Sequence, residues 1–88
     1  MVRRQGLRGV LAANLKRLRR ARSLPQEDLA GHAGLNRNYV GMIEREENAA
    51  TVDVLERLAE VLGVRASDLL LDGNGDAQPV PARPGDPA

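Results

Sequence analysis

The 88-residue chain contains no cysteine, tryptophan or phenylalanine, and Tyr39 is its only aromatic residue. The absence of cysteine excludes disulfide frameworks and thiolate metal sites, and it fits a reducing compartment. His32 is the only histidine, and we interpret it as a solvated residue, which argues against a metal site built from imidazoles. Ser23 and Ser67 stand isolated, without a base at catalytic spacing, and no phosphate-binding glycine loop is present. We therefore expect no enzyme and no metal, cofactor or small-molecule ligand.

Long apolar runs are also missing. In the N-terminal stretch RRQGLRGVLAANLKRLRR, Arg8 interrupts the apolar run, and Lys16 and Arg17 close it early. This pattern predicts neither a signal peptide nor a membrane-spanning segment. A basic amphipathic helix could instead lie on an anionic membrane, but its apolar stripe is needed for the core of the domain that follows. We expect no membrane partner.

The net charge of +1 conceals an asymmetry along the chain. Residues 1–22 carry eight basic side chains and no acidic one, whereas residues 72–88 carry three aspartates against Arg83. Such polarity suits a domain whose N-terminal end meets phosphates. A solvated basic helix face is the alternative.

Apolar residues recur at helical spacing and predict an all-α fold. We expect helices over about residues 8–22, 26–33, 37–45, 52–62 and 66–71. Turn and capping residues separate them, because proline suits a first helical turn, small polar residues cap helix starts, and glycine permits a left-handed end. These residues are Pro25, Gly34, Asn36, Thr51 and Gly63.

The predicted five helices form one compact domain over residues 8–71, preceded by a basic arm at residues 1–7. Residues 72–88 hold three glycines and four prolines, with almost no large apolar group. Such a composition cannot bury enough apolar surface to fold. We predict a disordered Gly/Pro-rich tail there.

Residues 26–45, QEDLAGHAGLNRNYVGMIER, have the spacing of two short helices joined by a turn at Gly34. Gly34 stands where the chain must turn sharply, and a residue without a Cβ takes positive φ there at little cost. The inward-facing apolar positions are Leu29, Ala30, Leu35, Val40 and Ile43. This layout is typical of a helix presented to the major groove of DNA.

The chain resembles the Cro and phage-repressor class of helix-turn-helix proteins, also called the xenobiotic response element (XRE) family. Five spaced positions carry the resemblance, namely Gln26, Ala30, Gly34, Val40 and Ile43. It runs from about Leu11 to Leu70 and includes the pattern ERLAEVLGV at residues 56–64. The resemblance implies a lambda-repressor-like fold and a regulator of transcription that binds double-stranded DNA. It also implies a cytoplasmic, nucleoid-associated protein of a bacterium or phage, similar to restriction-modification controller proteins.

The second helix of the motif carries the expected base-reading face. At about 100° per residue, Arg37, Asn38, Gly41 and Met42 share one side, and Val40 and Ile43 point to the other. An arginine fork fits guanine, and asparagine fits adenine, although Asn38 could equally bind phosphate or water. Met42 could contact a thymine methyl group. Gly41 either allows close approach to DNA or is merely a weak helix residue.

A second group of side chains is expected to bind the DNA backbone. Gln26 lies at a helix start, where its amide and the free backbone amides can hold a phosphate. Tyr39 could offer its hydroxyl to a phosphate or pack against the edge of the core. The resemblance implies that Arg19 pairs with Glu44, orients the recognition helix and lies near the backbone. The phosphate-binding candidates are Gln26, Asn36, Tyr39, Arg17 and Arg19.

A single small module reads few bases, so we expect a homodimer on a palindromic operator. The expected dimer surface combines the fifth helix with the outer side of the fourth, at Val61, Leu69 and Leu71. The fifth helix carries Leu69 and Leu70 either back to the core or to the partner subunit. Two alternatives stay open. One is an antitoxin that represses its own operon. The other is a protein-interaction module on this scaffold, because Glu46 and Glu47 stand where the family commonly has glycine and a basic residue.

Overall fold

The computed structural model describes residues 6–71, and within that range every regular element is helical. The elements are α1 (Leu7–Ala21), α2 (Gln26–His32), α3 (Tyr39–Glu44), α4 (Val52–Leu62) and a 3₁₀ helix, η1 (Ala66–Leu70). Helix α1 packs on α3 and η1, α2 packs on α3 and α4, and α4 packs on η1. The predicted all-α, lambda-repressor-like class is confirmed.

An aliphatic core holds these elements together. Its largest fully buried side chains come from every element and are Leu15, Leu29, Val40, Ile43, Leu58, Leu62 and Leu69. Burying one such side chain contributes about 1.5 to 3 kcal/mol, so a domain without a core aromatic still has enough driving force to fold. Tyr39 is half-buried and packs against this core. This position matches the second of its two predicted roles, packing against the edge of the core.

Three turn and capping signals have the expected geometry. Gly34 has φ 73° between α2 and α3, and Gly63 has φ 74° at the end of α4. The hydroxyl of Thr51 accepts a hydrogen bond from the backbone N–H of Val54 at 3.1 Å, which caps the start of α4. Each device satisfies backbone groups that the helix leaves unpaired.

The start of the recognition helix differs from the prediction. Helix α3 begins at Tyr39, and residues 37 and 38 form a turn ahead of it. The side-chain oxygen of Asn36 accepts a hydrogen bond from the backbone N–H of Asn38 at 2.8 Å, which is the bond that a capping asparagine makes to the second residue after it. Asn36 therefore caps the turn at residues 37 and 38, and α-helical bonding begins after it, with the N–H of Met42 donating to the backbone oxygen of Asn38 at 3.1 Å.

The last element corrects a predicted role. Leu69 was expected on a dimer surface with Leu71, but its side chain is 0 % exposed and belongs to the core. The side-chain N–H₂ group of Asn14 donates to the backbone oxygens of Leu69 at 2.9 Å and Leu71 at 2.8 Å. These bonds hold η1 against α1, and Leu69 packs into the core that α1 and α4 form with the other helices.

The predicted tail at 72–88 and residues 1–5 of the predicted arm lie outside the described residues. In the part of the chain that is described, no helix is long and apolar enough to cross a membrane.

Candidate nucleic-acid interface

The start of helix α2, the turn at residues 37 and 38, helix α3 and the segment just after it line a shallow surface depression. All four predicted base-reading residues line it, together with Gln26 and three residues that were not predicted. The lining residues are Gln26, Glu27, Arg37, Asn38, Gly41, Met42, Arg45 and Glu47. Val40 and Ile43 are buried on the opposite side of α3, so packing that side into the core presents the other side outward.

Arg37 lies in the turn before α3 with its guanidinium at the surface. Its Nη2 donates to Oε2 of Glu27 in the first turn of α2, at 3.0 Å. The two side chains are 71 % and 62 % exposed. An ion pair this exposed contributes little to stability, so the guanidinium can exchange its partner.

Gly41 is buried at the floor of the depression. A Cβ placed on it would lie 3.1 Å from Oε1 of Gln26 and 3.1 Å from Nη1 of Arg45. The missing side chain therefore leaves room for two polar side chains beside α3. The space that Gln26 and Arg45 occupy explains why a residue without a side chain stands at position 41, in addition to close approach to DNA or weak helix propensity.

Glu44 closes a buried network behind the depression. Its carboxylate accepts hydrogen bonds from Arg19 Nε at 2.7 Å, Arg19 Nη2 at 3.0 Å and Gln26 Nε2 at 2.9 Å. Burial raises the pKa of Glu44, but the hydrogen bonds from Arg19 and Gln26 and the nearby positive charges outweigh it, so the pKa is lowered. The network joins α1, α2 and α3 through one carboxylate.

Arg19 has a different position from the one expected for a phosphate contact. Besides its two bonds to Glu44, its Nη1 donates to the backbone oxygen of Leu24 at 2.8 Å. Its side chain is 10 % exposed, so Arg19 lies within the network and not on an open surface. The predicted pairing of Arg19 with Glu44 is present.

Asn36 and Asn38 both lie at the surface ahead of α3, and Met42 is half-buried on it. Because the side-chain oxygen of Asn36 is engaged by the backbone of Asn38, the first role of Asn36 is to shape the turn. Gln26 likewise has a second role, since its amide supports Glu44 while it lines the depression.

A basic groove flanks the depression on α1. The small residues Gly9, Ala12 and Ala13 line it, together with charged side chains. These are Lys16, Arg17, Arg20, Glu44 and Glu46. Arg17 is exposed, and its Nη2 lies 3.3 Å from the side-chain oxygen of Asn14.

The sequence reasoning missed Arg45. It follows Gly41 by four residues and Arg37 by eight, so helical spacing alone would have placed it on the same face. Arg45 Nε donates to Glu47 Oε2 at 2.9 Å, and Arg45 Nη2 donates to Glu47 Oε1 at 3.2 Å. The hydrogen bond from Arg45 lowers the pKa of Glu47.

The remaining candidates for a dimer surface lie away from this depression. Leu71 is 46 % exposed at the end of η1, and Val61 on α4 is half-buried against the core. Val52 at the start of α4 is also exposed.

Comparison with known proteins gives concordant matches. A helix-turn-helix family model matches residues 15–69. A hypothetical transcription factor of Neisseria meningitidis is 42 % identical over 67 residues, which are 76 % of this chain and 63 % of that protein. The chain thus spans less than two thirds of that relative. Control protein C.SmaI of Serratia marcescens is 38 % identical over 64 residues, covering 73 % of this chain and 76 % of the relative.

Solved structures agree with these matches. The crystal structure of the hypothetical transcription factor NHTF from Neisseria superposes with a TM-score of 0.79 at 36 % identity, covering 88 % of each chain. The restriction-modification controller protein C.AhdI from Aeromonas hydrophila superposes with a TM-score of 0.68 at 34 % identity. That match covers 70 % of this chain and 94 % of C.AhdI.

Proposed function

Because this chain belongs to the XRE-type helix-turn-helix family of DNA-binding transcription regulators, we propose that it reads a specific double-stranded sequence. We further propose that it does so as a homodimer on a palindromic operator. Its relatives are named as a hypothetical transcription factor, a control protein and a restriction-modification controller protein. Proteins of these kinds are not enzymes.

The observation that carries this proposal is the composition of the depression between α2 and α3. Arg37, Asn38, Gly41 and Met42 line one concave surface together with Arg45. Guanidinium and amide groups match the hydrogen-bonding edges of guanine and adenine in the major groove. In this proposal Arg37 and Arg45 read guanines, Asn38 reads adenine, and Met42 contacts a thymine methyl group.

Backbone binding would come from the sides of that depression. Gln26 at the start of α2 would donate to one phosphate, and the basic groove on α1 would contact others through Lys16, Arg17 and Arg20. The tyrosine hydroxyl of Tyr39 and the amide of Asn36 are further candidates. Arg19 and Glu44 would position these groups from inside the domain.

The homodimer proposal rests on the size of the reading surface and on the exposed apolar groups beyond α3. Two copies would place half-site centres about 34 to 36 Å apart, one turn of the duplex. Val61 and Leu71 are the proposed contacts, and Leu69 supports them from the core. Sedimentation at tens of micromolar, with and without operator, tests this part. A monomer under both conditions would remove it.

A protein-interaction module is the second candidate, since Glu27 and Glu47 balance the charge of the two arginines in the depression. Such a module would contact a protein through this surface and would bind duplex DNA weakly or not at all.

Selection of bound duplexes from a random pool separates the two functions. A regulator enriches one two-fold symmetric consensus, and its affinity falls by about 0.9 log units per phosphate contact for each tenfold rise in salt. An unenriched pool, or affinity that does not change with salt, would favour the interaction module.

A further inference from the structure

Both guanidinium groups of the depression are held by carboxylates of the same depression. Arg37 meets Glu27 from the first turn of α2, at 3.0 Å. Arg45 meets Glu47 from the segment after α3 through two hydrogen bonds, at 2.9 and 3.2 Å. Each acidic residue therefore lies within hydrogen-bond distance of a group that the proposed function assigns to base reading.

The flanking groove on α1 has a different balance of charge. Three basic side chains line it, and one of its two carboxylates, that of Glu44, is already committed to Arg19. Positive charge is thus in excess where phosphates are expected and is balanced where bases are expected. Attraction between phosphates and basic groups does not depend on the DNA sequence. This distribution of charge therefore assigns binding of the DNA backbone to the groove and recognition of bases to the depression.

Any DNA that enters the depression must compete with these carboxylates for the two arginines. An arginine must release its carboxylate before it can donate to a base. Guanine offers two acceptors, O6 and N7, to the arginine fork and can replace the carboxylate oxygens to which the guanidinium donates. A base without that pair of acceptors cannot replace them, so the arginine stays with its carboxylate. That carboxylate only accepts hydrogen bonds and therefore gains no bond from the base acceptors and phosphates that it faces.

We propose that Glu27 and Glu47 are specificity-determining residues. Each carboxylate keeps its arginine, Arg37 or Arg45, from contacting DNA unless a guanine edge takes the place of the carboxylate. This inference rests on the proposed function. The pairs are well placed for such a role, because both are more than half exposed and can open without disturbing the core. Exposed pairs of this kind shift an equilibrium by up to about fivefold, enough to bias competing sites without blocking binding.

The test compares binding to two duplexes at one salt concentration by fluorescence anisotropy. One duplex carries the consensus selected from random DNA, and the other is a scrambled sequence of the same composition. We expect Glu27→Gln and Glu47→Gln each to tighten binding to the scrambled duplex about two- to fivefold, with a smaller gain on the consensus. The ratio of consensus to scrambled affinity should therefore fall in each variant, by the gain on the scrambled duplex divided by the smaller gain on the consensus.

Asp28→Asn and Asp53→Asn are matched controls. Both aspartates are exposed in the first turn of a helix, as Glu27 is, but they do not line the depression. Each control also removes one negative charge, so it should shift both duplexes equally and leave their ratio unchanged. Circular dichroism of each variant verifies that the fold is retained.

The possible outcomes are distinct. An unchanged affinity ratio in Glu27→Gln and Glu47→Gln, or a change matched by the controls, would overturn this inference and leave the proposed function intact. If the wild-type protein binds both duplexes equally or neither, the proposed function fails and the inference fails with it.

Discussion

Removing the carboxylate of Glu44 is expected to destabilise the domain more than removing any exposed acidic group. In Glu44→Ala, two N–H groups of Arg19 and the amide of Gln26 lose their acceptor. The guanidinium keeps its charge and its bond to the backbone oxygen of Leu24, yet its side chain is 10 % exposed. Water therefore has little access to replace the lost partner.

The expected size follows from the cost of leaving a buried charge unpaired. Breaking a buried pair on one side costs about 3 to 5 kcal/mol, and the residual exposure of Arg19 places this case near 3 kcal/mol. A domain of this size has a total stability of about 3 to 10 kcal/mol, so the variant would lose a large fraction of it. With a denaturant slope near 1 kcal/mol per molar urea, the midpoint should fall by about 3 M.

Urea unfolding followed by far-ultraviolet circular dichroism measures this change. Glu47→Ala is the control, because it removes a carboxylate that also binds an arginine through two hydrogen bonds, but at the surface. Its midpoint should move little. The double variant Arg19→Met with Glu44→Leu should recover much of the stability, since apolar residues can replace a buried ion pair. Equal midpoint shifts in Glu44→Ala and Glu47→Ala would refute the reasoning.

Three further outcomes are expected. Glu46 has φ 62°, so Glu46→Gly should raise stability by about 0.5 to 1 kcal/mol in urea unfolding, whereas Glu46→Ala, which keeps a Cβ, should not. The pKa of Glu44 is lowered from its ordinary 4.5, so its contribution to stability is present above that pH and is lost as the pH falls through the lower pKa of the folded state. In Glu44→Gln, the free energy of unfolding should therefore fall less steeply as the pH is lowered through this range. Gly41→Ala should stay within about 1 kcal/mol of the wild-type stability, because better helix propensity offsets the displaced ends of Gln26 and Arg45, but it should weaken DNA binding measured by anisotropy.

Much of the fold could be predicted because its determinants are local. Positive φ at Gly34 and Gly63 and the hydroxyl cap at Thr51 follow from residue types at a helix end. The start of α3 is harder to place from the sequence, because the side chain of Asn36 makes the same bond to the backbone N–H two residues on in a helix cap and in a turn.

The errors and omissions arose where tertiary contacts decide. Leu69 and Leu71 lie two residues apart at the end of η1, and packing against residues of the other helices determines that Leu69 is buried and Leu71 exposed. The pairing of Arg37 with Glu27 joins the turn before α3 to the first turn of α2, so no short-range spacing reveals it. Arg45 could have been found from helical spacing, but its pairing with Glu47 depends on the path of the chain after α3.

Base reading by the turn at residues 37 and 38 together with the exposed face of α3 is tested most directly by the selection from random DNA, repeated with Arg37→Ala. We expect the wild-type consensus to contain a guanine in each half-site that loses its preference in the variant, while the other positions and the spacing of the half-sites are retained. An identical consensus from both proteins would contradict the claim and place base reading on another surface.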